Sequence, residues 1–404
     1  MSSPSSHHYD FILAGGGAAG LSLADHLMEA GLAPGGILIL EPASKSQNDR
    51  TWCFWEKNAG PYEHVVHHSW DKIGLYSPQW SQDLDIAPYR YKMIRSHDFY
   101  ADVRNRLTNR AEVHWCSEKM LHYEERTEVV QVTDGSGKQH QAKWMVNSIP
   151  PPKSWLSTGK HTLLQHFLGW VIETRDAAFD PGKMVFMDFR IPQHGQTRFC
   201  YVLPISPNQA LVEFTVFSPA LLARADYTYE LKAYLQKRYQ LSDYHIAHEE
   251  FGVIPMTDAY FPAREGGRVL NIGTRGGQTK PSTGYTFRRI QNRCQEVIQS
   301  LRTKHHPFAL KPAQPSRFSF YDRVLLEALW SQRVEGSTFF TRLFQYNPPQ
   351  RVLKFLDEQT HPFEESGILM SAPWMPFIRA SMQVLQNDRV NHHAQAAGQG
   401  VQLL

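Results

Sequence analysis

The sequence has few cysteines and no long apolar run. Its four cysteines, Cys53, Cys116, Cys200 and Cys294, lie far apart in 404 residues and form no CxxC pair, which argues against a disulfide framework and against a thiolate zinc site. No stretch approaches the roughly 18 uninterrupted apolar residues of a membrane-spanning helix. The polar start MSSPSSHHYD lacks the apolar segment of a secretory signal. We therefore expect reduced thiols and a cytoplasmic location.

An excess of charge of one sign is also missing. Lys and Arg together number 42 against 39 acids, a formal charge of +3, and neutralising phosphates would need a basic stripe. We therefore expect no nucleic-acid partner. The 20 histidines are scattered or directly adjacent, whereas ligands on one helix face are three or four residues apart, so no metal is expected. A hydrophobic share of 42% is typical of a folded chain of two or three domains.

What the sequence does contain is a dinucleotide-binding pattern near its start. An apolar run at 9–14 predicts a strand, a glycine-rich turn and a helical pattern follow, and a second apolar strand is predicted at 37–40. The glycines allow a tight turn, close approach of backbone N–H groups to a pyrophosphate, and close helix–strand packing. The helix N-terminus favours the phosphate charge, and an acid after the second strand can hold ribose hydroxyls. These residues are Gly15, Gly17, Ala18, Ala19, Gly20 and Glu41.

A second glycine-rich segment, 273–285, follows a predicted strand at 269–272. A nucleotide site assembled from both ends of a chain is the layout of large flavoproteins, so FAD is favoured over NAD. Many such proteins carry Gly-Asp at the end of this late strand. This chain has Gly273-Thr274, so contact with the ribityl chain must come from Thr274, from backbone amides or from elsewhere.

Between these segments the pattern changes to short strands. Four β-rich runs separated by turns predict an antiparallel sheet, the segment 60–91 is aromatic and irregular, and the pattern is helical from 320 onward. The predicted fold class is α/β, a Rossmann-type FAD-binding domain with an antiparallel β substrate domain and a helical C-terminal region. The predicted boundaries are 1–60, 92–150 and 262–300 for the first, 61–91 and 151–261 for the second, and 301–404 for the third.

Two acids in apolar strands are candidates for acid catalysis. Glu213 shares a strand face with Leu211, Thr215 and Phe217, and desolvation there would raise its pKa until it can donate a proton near neutrality. The alternative is a solvated glutamate or one paired with an arginine such as Arg190. The second candidate, Asp188, lies in the similar run MVFMDF.

A third acid, Asp258, follows the segment Pro255-Met256-Thr257. It is either a site residue or a turn-former whose side chain caps its own loop.

Taken together, short segments spread over residues 9–370 resemble the FAD-dependent lycopene β-cyclases of bacteria and plants. No single one decides the matter, but their joint order is specific. Besides the N-terminal motif they are Arg50-Thr51-Trp52, Ile94-Arg95-Ser96, Gln165-His166-Phe167-Leu168-Gly169, Met187-Asp188-Phe189-Arg190, Tyr201-Val202-Leu203-Pro204, Val212-Glu213-Phe214-Thr215, Ile254-Pro255-Met256 and Pro281-Ser282-Thr283-Gly284-Tyr285.

The resemblance implies a peripheral membrane flavoprotein that cyclises the ψ-ends of lycopene to β-ionone rings without net redox change, as an intramolecular lyase or isomerase. It implies reduced FAD as the active cofactor, NAD(P)H as its reductant, and acyclic or monocyclic carotenoids as substrates. No obligate protein partner is evident. The family motif Phe-Leu-Glu-Glu-Thr places its first acid at Glu213 and has Phe214 in place of the second. The cofactor contacts that it adds are Arg50, Arg95, Gly273, Thr274, Thr283, Gly284 and Tyr285.

Two other functions fit the same cofactor pattern. A redox flavoenzyme, either a monooxygenase or an isoprenoid reductase, would consume NAD(P)H or oxygen stoichiometrically. A non-catalytic carotenoid-binding protein with a vestigial flavin site would bind polyenes without retaining FAD, although the intact glycine motif and Glu41 argue against it.

Overall fold

The computed structural model describes residues 8–308 and 317–399, with side chains described as far as 388. Parts of the predicted N-terminal and C-terminal regions, 1–7, 309–316 and 400–404, lie outside the described residues. The strands are β1 (His8–Ala14), β2 (Ile37–Leu40), β3 (Thr51–Glu56), β4 (His68–Trp70), β5 (Lys72–Tyr76), β6 (Ser81–Asp85), β7 (Arg90–Arg95), β8 (Val113–Cys116), β9 (Met120–Glu125), β10 (Val130–Asp134), β11 (Gln139–Asn147), β12 (Thr162–Glu173), β13 (Met184–Asp188), β14 (Thr197–Ser206), β15 (Gln209–Ser218), β16 (His245–Thr257), β17 (Arg264–Glu265) and β18 (Val269–Asn271).

Ten α-helices complete the described part of the chain. They are α1 (Ala18–Glu29), α2 (Ser96–Thr108), α3 (Lys153–Leu156), α4 (Arg224–Tyr239), α5 (Phe287–Lys304), α6 (Arg317–Trp330), α7 (Gly336–Gln345), α8 (Pro349–Leu356), α9 (Pro362–Ser371) and α10 (Trp374–Gln399). Within the described ranges, no helix combines the length and the apolar character that crossing a bilayer requires.

The first sheet has the strand order β17-β18-β11-β1-β2-β8, with β9 and β10 attached as a hairpin beside β11. β1 pairs in parallel with β2 and β11, and β18 pairs in parallel with β11. Apolar residues of α1, α2 and α5 pack with those of β1 and β2 in one core. This topology brings the loop after β18 close to the start of α1. A Cβ on Gly273 would lie only 3.1 Å from Ala19 Cβ.

The second sheet has the order β16-β12-β15-β14-β13-β5-β6. It is antiparallel apart from the parallel pair of β13 with β5. One face packs on α4. The other face packs on the C-terminal helices and on the three-stranded sheet β3-β7-β4. α4 therefore covers one face of the second sheet, and the other face packs against the C-terminal helices and the three-stranded sheet.

The predicted fold class is confirmed. The four β-rich runs are strands β12 to β15. The expectation that 60–91 is irregular is wrong, because it contains β4, β5 and β6. Its strands are only three to five residues long and mix polar with apolar residues, so their pairing with distant strands decides their structure. The domain boundaries stay a prediction.

Candidate functional site

The glycine motif connects β1 to α1 as predicted. Gly15 has a φ of +104°, and a Cβ on Gly20 would lie 2.0 Å from the Gly15 carbonyl oxygen, so only glycine fits at both positions. Around Gly17, by contrast, the described part of the chain has no atom within 4 Å of an added Cβ. Gly17 precedes the first turn of α1, which starts with Ala18. The open space therefore lies where the helix N-terminus presents backbone N–H groups.

Glu41 lies beside this loop, directly after β2. Its Oε2 accepts a hydrogen bond from the Gly16 N–H at 2.7 Å, and its Oε1 accepts one from the Ala43 N–H at 2.9 Å. The carboxylate is thereby fixed next to the glycine motif, with lone pairs left over on both oxygens. This is an arrangement that suits the hydroxyls of a ribose.

The late glycine-rich loop follows β18 of the first sheet and lies between the start of α1 and β12 of the second sheet. Gly273, Gly277 and Gly284 have positive φ, and a Cβ on Gly284 would lie 2.7 Å from Gln165 Oε1. That buried oxygen and two further buried atoms, Gln278 Oε1 and Thr283 Oγ1, have no hydrogen-bond partner among the described residues. Buried polar atoms normally have partners, so a polar ligand at this loop would satisfy them. The residues present fit a dinucleotide.

The two predicted arginines differ in their surroundings. Arg95 makes a bidentate contact with Asp98, with Nε–Oδ2 at 2.7 Å and Nη2–Oδ1 at 3.0 Å, so its guanidinium is already engaged. Arg50 is exposed, and its Nη1 donates to the Asp49 carbonyl. Thr274 Oγ1 lies 3.0 Å from Thr279 Oγ1 inside the late loop. Their roles as cofactor contacts stay predictions.

Glu213 lies on β15, on the face of the second sheet that meets β3. In register, it pairs with Gly169 of β12 and Tyr201 of β14. Thr215 Oγ1 donates a hydrogen bond to Glu213 Oε1 at 2.6 Å. Burial raises the pKa of Glu213 to about 8, the Thr215 hydrogen bond counteracts this, and the charge of Glu250 adds to the rise. The protonated form of the carboxyl group is therefore favoured near neutral pH.

Aromatic and sulfur-containing side chains surround this acid. Tyr285 of the late loop lies 3.0 Å from Tyr91, hydroxyl to hydroxyl, and its ring packs edge-on against Trp55 at 4.7 Å between centroids. Glu213, Cys53 and Tyr285 lie deep in the protein but stay partly uncovered. We infer an internal crevice between β3 and the second sheet, which Glu213 borders.

Asp188 is not brought to this crevice. It pairs with Cys200, whose side chain packs on the α4 face of the sheet. Arg190 binds it through Nε at 2.8 Å and Nη2 at 2.6 Å, and Tyr234 of α4 donates to it at 3.0 Å. A fully buried carboxylate with these donors is a structural ion pair. The prediction of Asp188 as a second catalytic acid is therefore not supported by its placement, and Arg190 pairs with it rather than with Glu213.

Asp258 joins β12 to the helical region through a histidine. Its Oδ2 lies 2.7 Å from His161 Nδ1, and Glu327 of α6 lies 2.7 Å from the other ring nitrogen. The hydrogen bond with Asp258 is the main cause that raises the pKa of His161. Asp258 thus connects the start of β12 to α6 through His161.

One group of three potential metal ligands occurs in the described ranges, formed by Cys116, Asp134 and His140 within 4.8 Å of one another. Asp134 already accepts hydrogen bonds from Ser136 N at 3.0 Å and from His140 Nε2 at 2.8 Å. These bonds close the turn between β10 and β11. The predicted absence of a metal stays a prediction.

Sequence reasoning missed Glu250. It lies on β16, which pairs with β12 on the side opposite β15. Gly169 of β12 is in register with Glu250 on one side and with Glu213 on the other. In the sequence it stands in the mainly polar stretch 245–250, which indicates a solvated segment. Phe214, at the position of the motif's second acid, points to the α4 face and packs against Tyr227 at 6.1 Å between ring centroids. An acid there would face away from Glu213.

Comparison with known proteins identifies the family. A family model described as lycopene cyclase protein matches residues 10–382. The chain is 26% identical over 304 residues to the chloroplastic lycopene beta cyclase of Arabidopsis thaliana, which covers 69% of this chain and 57% of that protein. It is 28% identical over 306 residues to the lycopene beta-cyclase of Pantoea ananas, covering 69% and 71%. A potato protein named neoxanthin synthase is 25% identical, covering 70% and 58%.

Solved structures are similar in fold. A geranylgeranyl bacteriochlorophyll reductase-like protein of Thermoplasma acidophilum has a TM-score of 0.55 at 12% identity, covering 94% of this chain and 99% of that one. HpxO of Klebsiella pneumoniae, complexed with FAD, has a TM-score of 0.56 at 14% identity, covering 91% and 100%. At these identities the likeness shows the fold alone. With the family match over most of its length, the chain belongs to the lycopene cyclase family.

Proposed function

We propose that this protein is a lycopene β-cyclase that converts the ψ-ends of lycopene to β-ionone rings, by way of γ-carotene to β-carotene. The observation that carries the proposal is the placement of Glu213 near the aromatic side chains Tyr201 and Tyr285, where burial raises the pKa of its carboxyl group to about 8. An acid that still holds its proton at physiological pH can act as a general acid, and the aromatic surroundings that Tyr285 and Trp55 provide suit a hydrocarbon. The family and its relatives' names supply the substrate class.

FAD is the cofactor we propose, as in the fold neighbour HpxO. Gly17 and the start of α1 would hold the pyrophosphate, Glu41 the ribose, and the late loop the ribityl chain and ring. When bound in reduced form, FAD would supply negative charge near the developing cation. NAD(P)H as its reductant rests on the family resemblance.

The reaction follows from proton transfer by this chain's own residues. Glu213 gives its proton to the terminal double bond, and the resulting tertiary cation is attacked by the neighbouring double bond of the same chain. Loss of a ring proton then completes the ring, so electrons and protons balance without redox change. The rings of Trp55, Tyr91 and Tyr285, which pack on one another, make these surroundings aromatic, which favours exclusion of water and stabilisation of a cation.

Expression in a lycopene-accumulating host tests the function. We expect wild-type protein to yield β-carotene with γ-carotene as intermediate, separated by chromatography. Absence of any ring product would contradict the cyclase function. Stoichiometric consumption of NAD(P)H or oxygen with a hydrophobic substrate would instead indicate a redox flavoenzyme.

We also propose that the protein is cytoplasmic and docks on the membrane through α9 and α10. Large apolar side chains stand exposed there, among them Phe363 at 94%, Met370 at 82% and Trp374 at 70% exposure. On α10, Trp374, Ile378 and Met382 recur every four residues and so share one face. An exposed apolar face of this kind suits the interfacial region of a bilayer.

The charges of this surface favour a bilayer as its partner. In the described stretch 361–388 each acid is paired with a base, namely Glu364 with Lys354, Glu365 with Arg317 and Asp388 with Arg323. Arg379 is exposed and can meet anionic headgroups.

A row of aromatic contacts also connects the surface to the second sheet. Phe377 packs on Phe339 at 5.1 Å, Phe339 on Phe340 at 5.1 Å, and Phe340 on Phe217 at 6.3 Å. Phe217 shares a strand face with Glu213. An unbroken row of apolar contacts therefore links the exposed surface to the strand that carries Glu213.

The double variant Trp374→Glu/Ile378→Glu should weaken binding to vesicles of phosphatidylglycerol and phosphatidylethanolamine by at least about tenfold, since burying each such side chain contributes about 1.5–3 kcal/mol. Flotation measures the bound fraction. Tyr229→Glu is the matched control, because Tyr229 is 69% exposed on α4, at the far face of the second sheet. Equal binding of the double variant and wild type would contradict docking at this surface.

A further inference from the structure

Glu213 and Glu250 stand on either side of a glycine. Gly169 of β12 pairs in register with Glu213 of β15 and with Glu250 of β16. Directly opposed residues of antiparallel strands point to the same face. Because β12 lies between β15 and β16, the Cα atoms of the two acids are about 10 Å apart, twice the spacing of neighbouring strands. Both side chains therefore lie on the same face of the sheet, and Gly169, which has no side chain, lies between them.

Gly169 itself places no side chain between the two acids. A Cβ there would lie 3.1 Å from Leu211 Cδ1 and 3.7 Å from Glu213 Cγ. β3 lies across the crevice from the two acids, and its Cys53 is near both of them. Burial raises the pKa of the Cys53 thiol, and the charges of Glu213 and Glu250 raise it further. The two acids thus flank one part of the crevice from opposite sides.

The two carboxyl groups differ in their hydrogen bonds. Glu250 Oε1 accepts from the Thr51 N–H at 3.1 Å and Oε2 from Thr51 Oγ1 at 2.8 Å. Hydrogen bonds to both oxygens favour the ionised form, whereas Glu213 accepts one, from Thr215. Burial raises the pKa of Glu250, and Thr51 and Arg50 counteract it. When the pair holds a single proton, that proton therefore resides on Glu213.

We propose that Glu250 is the base that receives the ring proton, with Glu213 as the acid on the other side of Gly169. This inference rests on the cyclase function proposed above. The Glu213 O–H bond breaks as a C–H bond forms at the terminal alkene, and the cation closes the ring with a C–C bond. A C–H bond at the ring carbon that carries the polyene then breaks, its electron pair forms the ring double bond, and its proton goes to Glu250. Return of that proton to Glu213 completes the cycle.

Glu250→Gln tests this role through the position of the ring double bond. The glutamine keeps the size of the side chain and an oxygen that accepts from Thr51, but it cannot take up a proton. We expect formation of the β-ring to fall by about 100-fold or more, the usual contribution of general-base catalysis. In the ring product that remains, the double bond should lie on the other side of the cationic carbon, because a different proton is lost. Chromatography and NMR of the carotenoids measure both.

Glu249→Gln is the matched control. Glu249 is adjacent on β16 but faces the other side, where it accepts from Trp170 Nε1 at 2.8 Å and pairs with Arg224. This variant should make β-rings as wild type does. Thr51→Val removes one hydrogen bond to Glu250 but keeps the carboxylate, so it should slow the reaction without moving the double bond.

A Glu250→Gln variant that retains flavin and makes β-carotene at the wild-type rate would overturn the proposal. So would a slower variant whose residual product is entirely β-ring, since a structural role alone predicts that result. If the glutamine variant does not fold, Glu250→Asp and Glu250→Asn provide an equally shortened pair. Only the aspartate should make β-rings, and equal products from both would contradict the role. If wild type itself makes no ring product, the cyclase function fails first, and this inference fails with it.

Discussion

Replacing Glu213 by glutamine is expected to leave lycopene unconverted in a lycopene-accumulating host. The amide keeps the shape of the side chain and its place beside Thr215, but it has no proton acidic enough to transfer to an alkene. General acid catalysis contributes roughly 10²–10⁴-fold, so ring products should fall below about a hundredth of the wild-type amount. Chromatography of the pigments measures this loss.

Flavin content is the control for this variant. Glu213 lies in the second sheet, whereas the proposed pyrophosphate and ribose contacts are in the first, so Glu213→Gln should retain as much flavin as wild type. Unchanged β-carotene would contradict the assignment. Asp188 would be a poor replacement as the acid, because Arg190 and Tyr234 hold its carboxylate on the α4 face of the sheet.

The pH dependence of the same reaction follows from the raised pKa. The active form of Glu213 is the protonated one, which predominates below its pKa of about 8. The rate should therefore decrease as the pH rises through about 8. An assay of purified protein with lycopene in detergent or vesicles gives the profile. A rate that already falls with rising pH near the ordinary glutamate pKa of about 4.3 would mean that Glu213 is not the proton donor.

The sequence predicted those parts of the site that are local. The glycine motif and Glu41 lie within one strand–helix–strand unit, and the alternation Leu211, Glu213, Thr215 predicts the strand face from neighbours alone. Asp188 has the same local pattern, but the face on which a strand residue lies depends on its pairing partners, and those are remote. Glu250 could not be found in this way, because its relation to Glu213 passes through Gly169 and two strand registers.

Two glycines of one motif should respond differently to the same substitution. Gly17→Val is expected to fold, because an added Cβ meets no atom within 4 Å in the described part of the chain and the backbone there, with φ −85° and ψ −168°, suits any residue. The valine would, however, fill the space proposed for the pyrophosphate. Flavin bound after purification should fall at least about tenfold, a change that corresponds to roughly 1.4 kcal/mol. Absorbance of the released flavin measures it.

Gly20→Val is the contrasting variant. Its Cβ would lie 2.0 Å from the Gly15 carbonyl oxygen and 3.2 Å from the Gly15 carbonyl carbon, and neither backbone atom can move without displacing β1 or α1. This variant should therefore lose folded protein as well as flavin, seen as a lower melting temperature of the apoprotein or as insolubility. Gly17→Val apoprotein should melt close to wild-type apoprotein. Full flavin content in Gly17→Val would show that the pyrophosphate does not bind at this loop, because a valine at that position and a phosphate cannot share the same space.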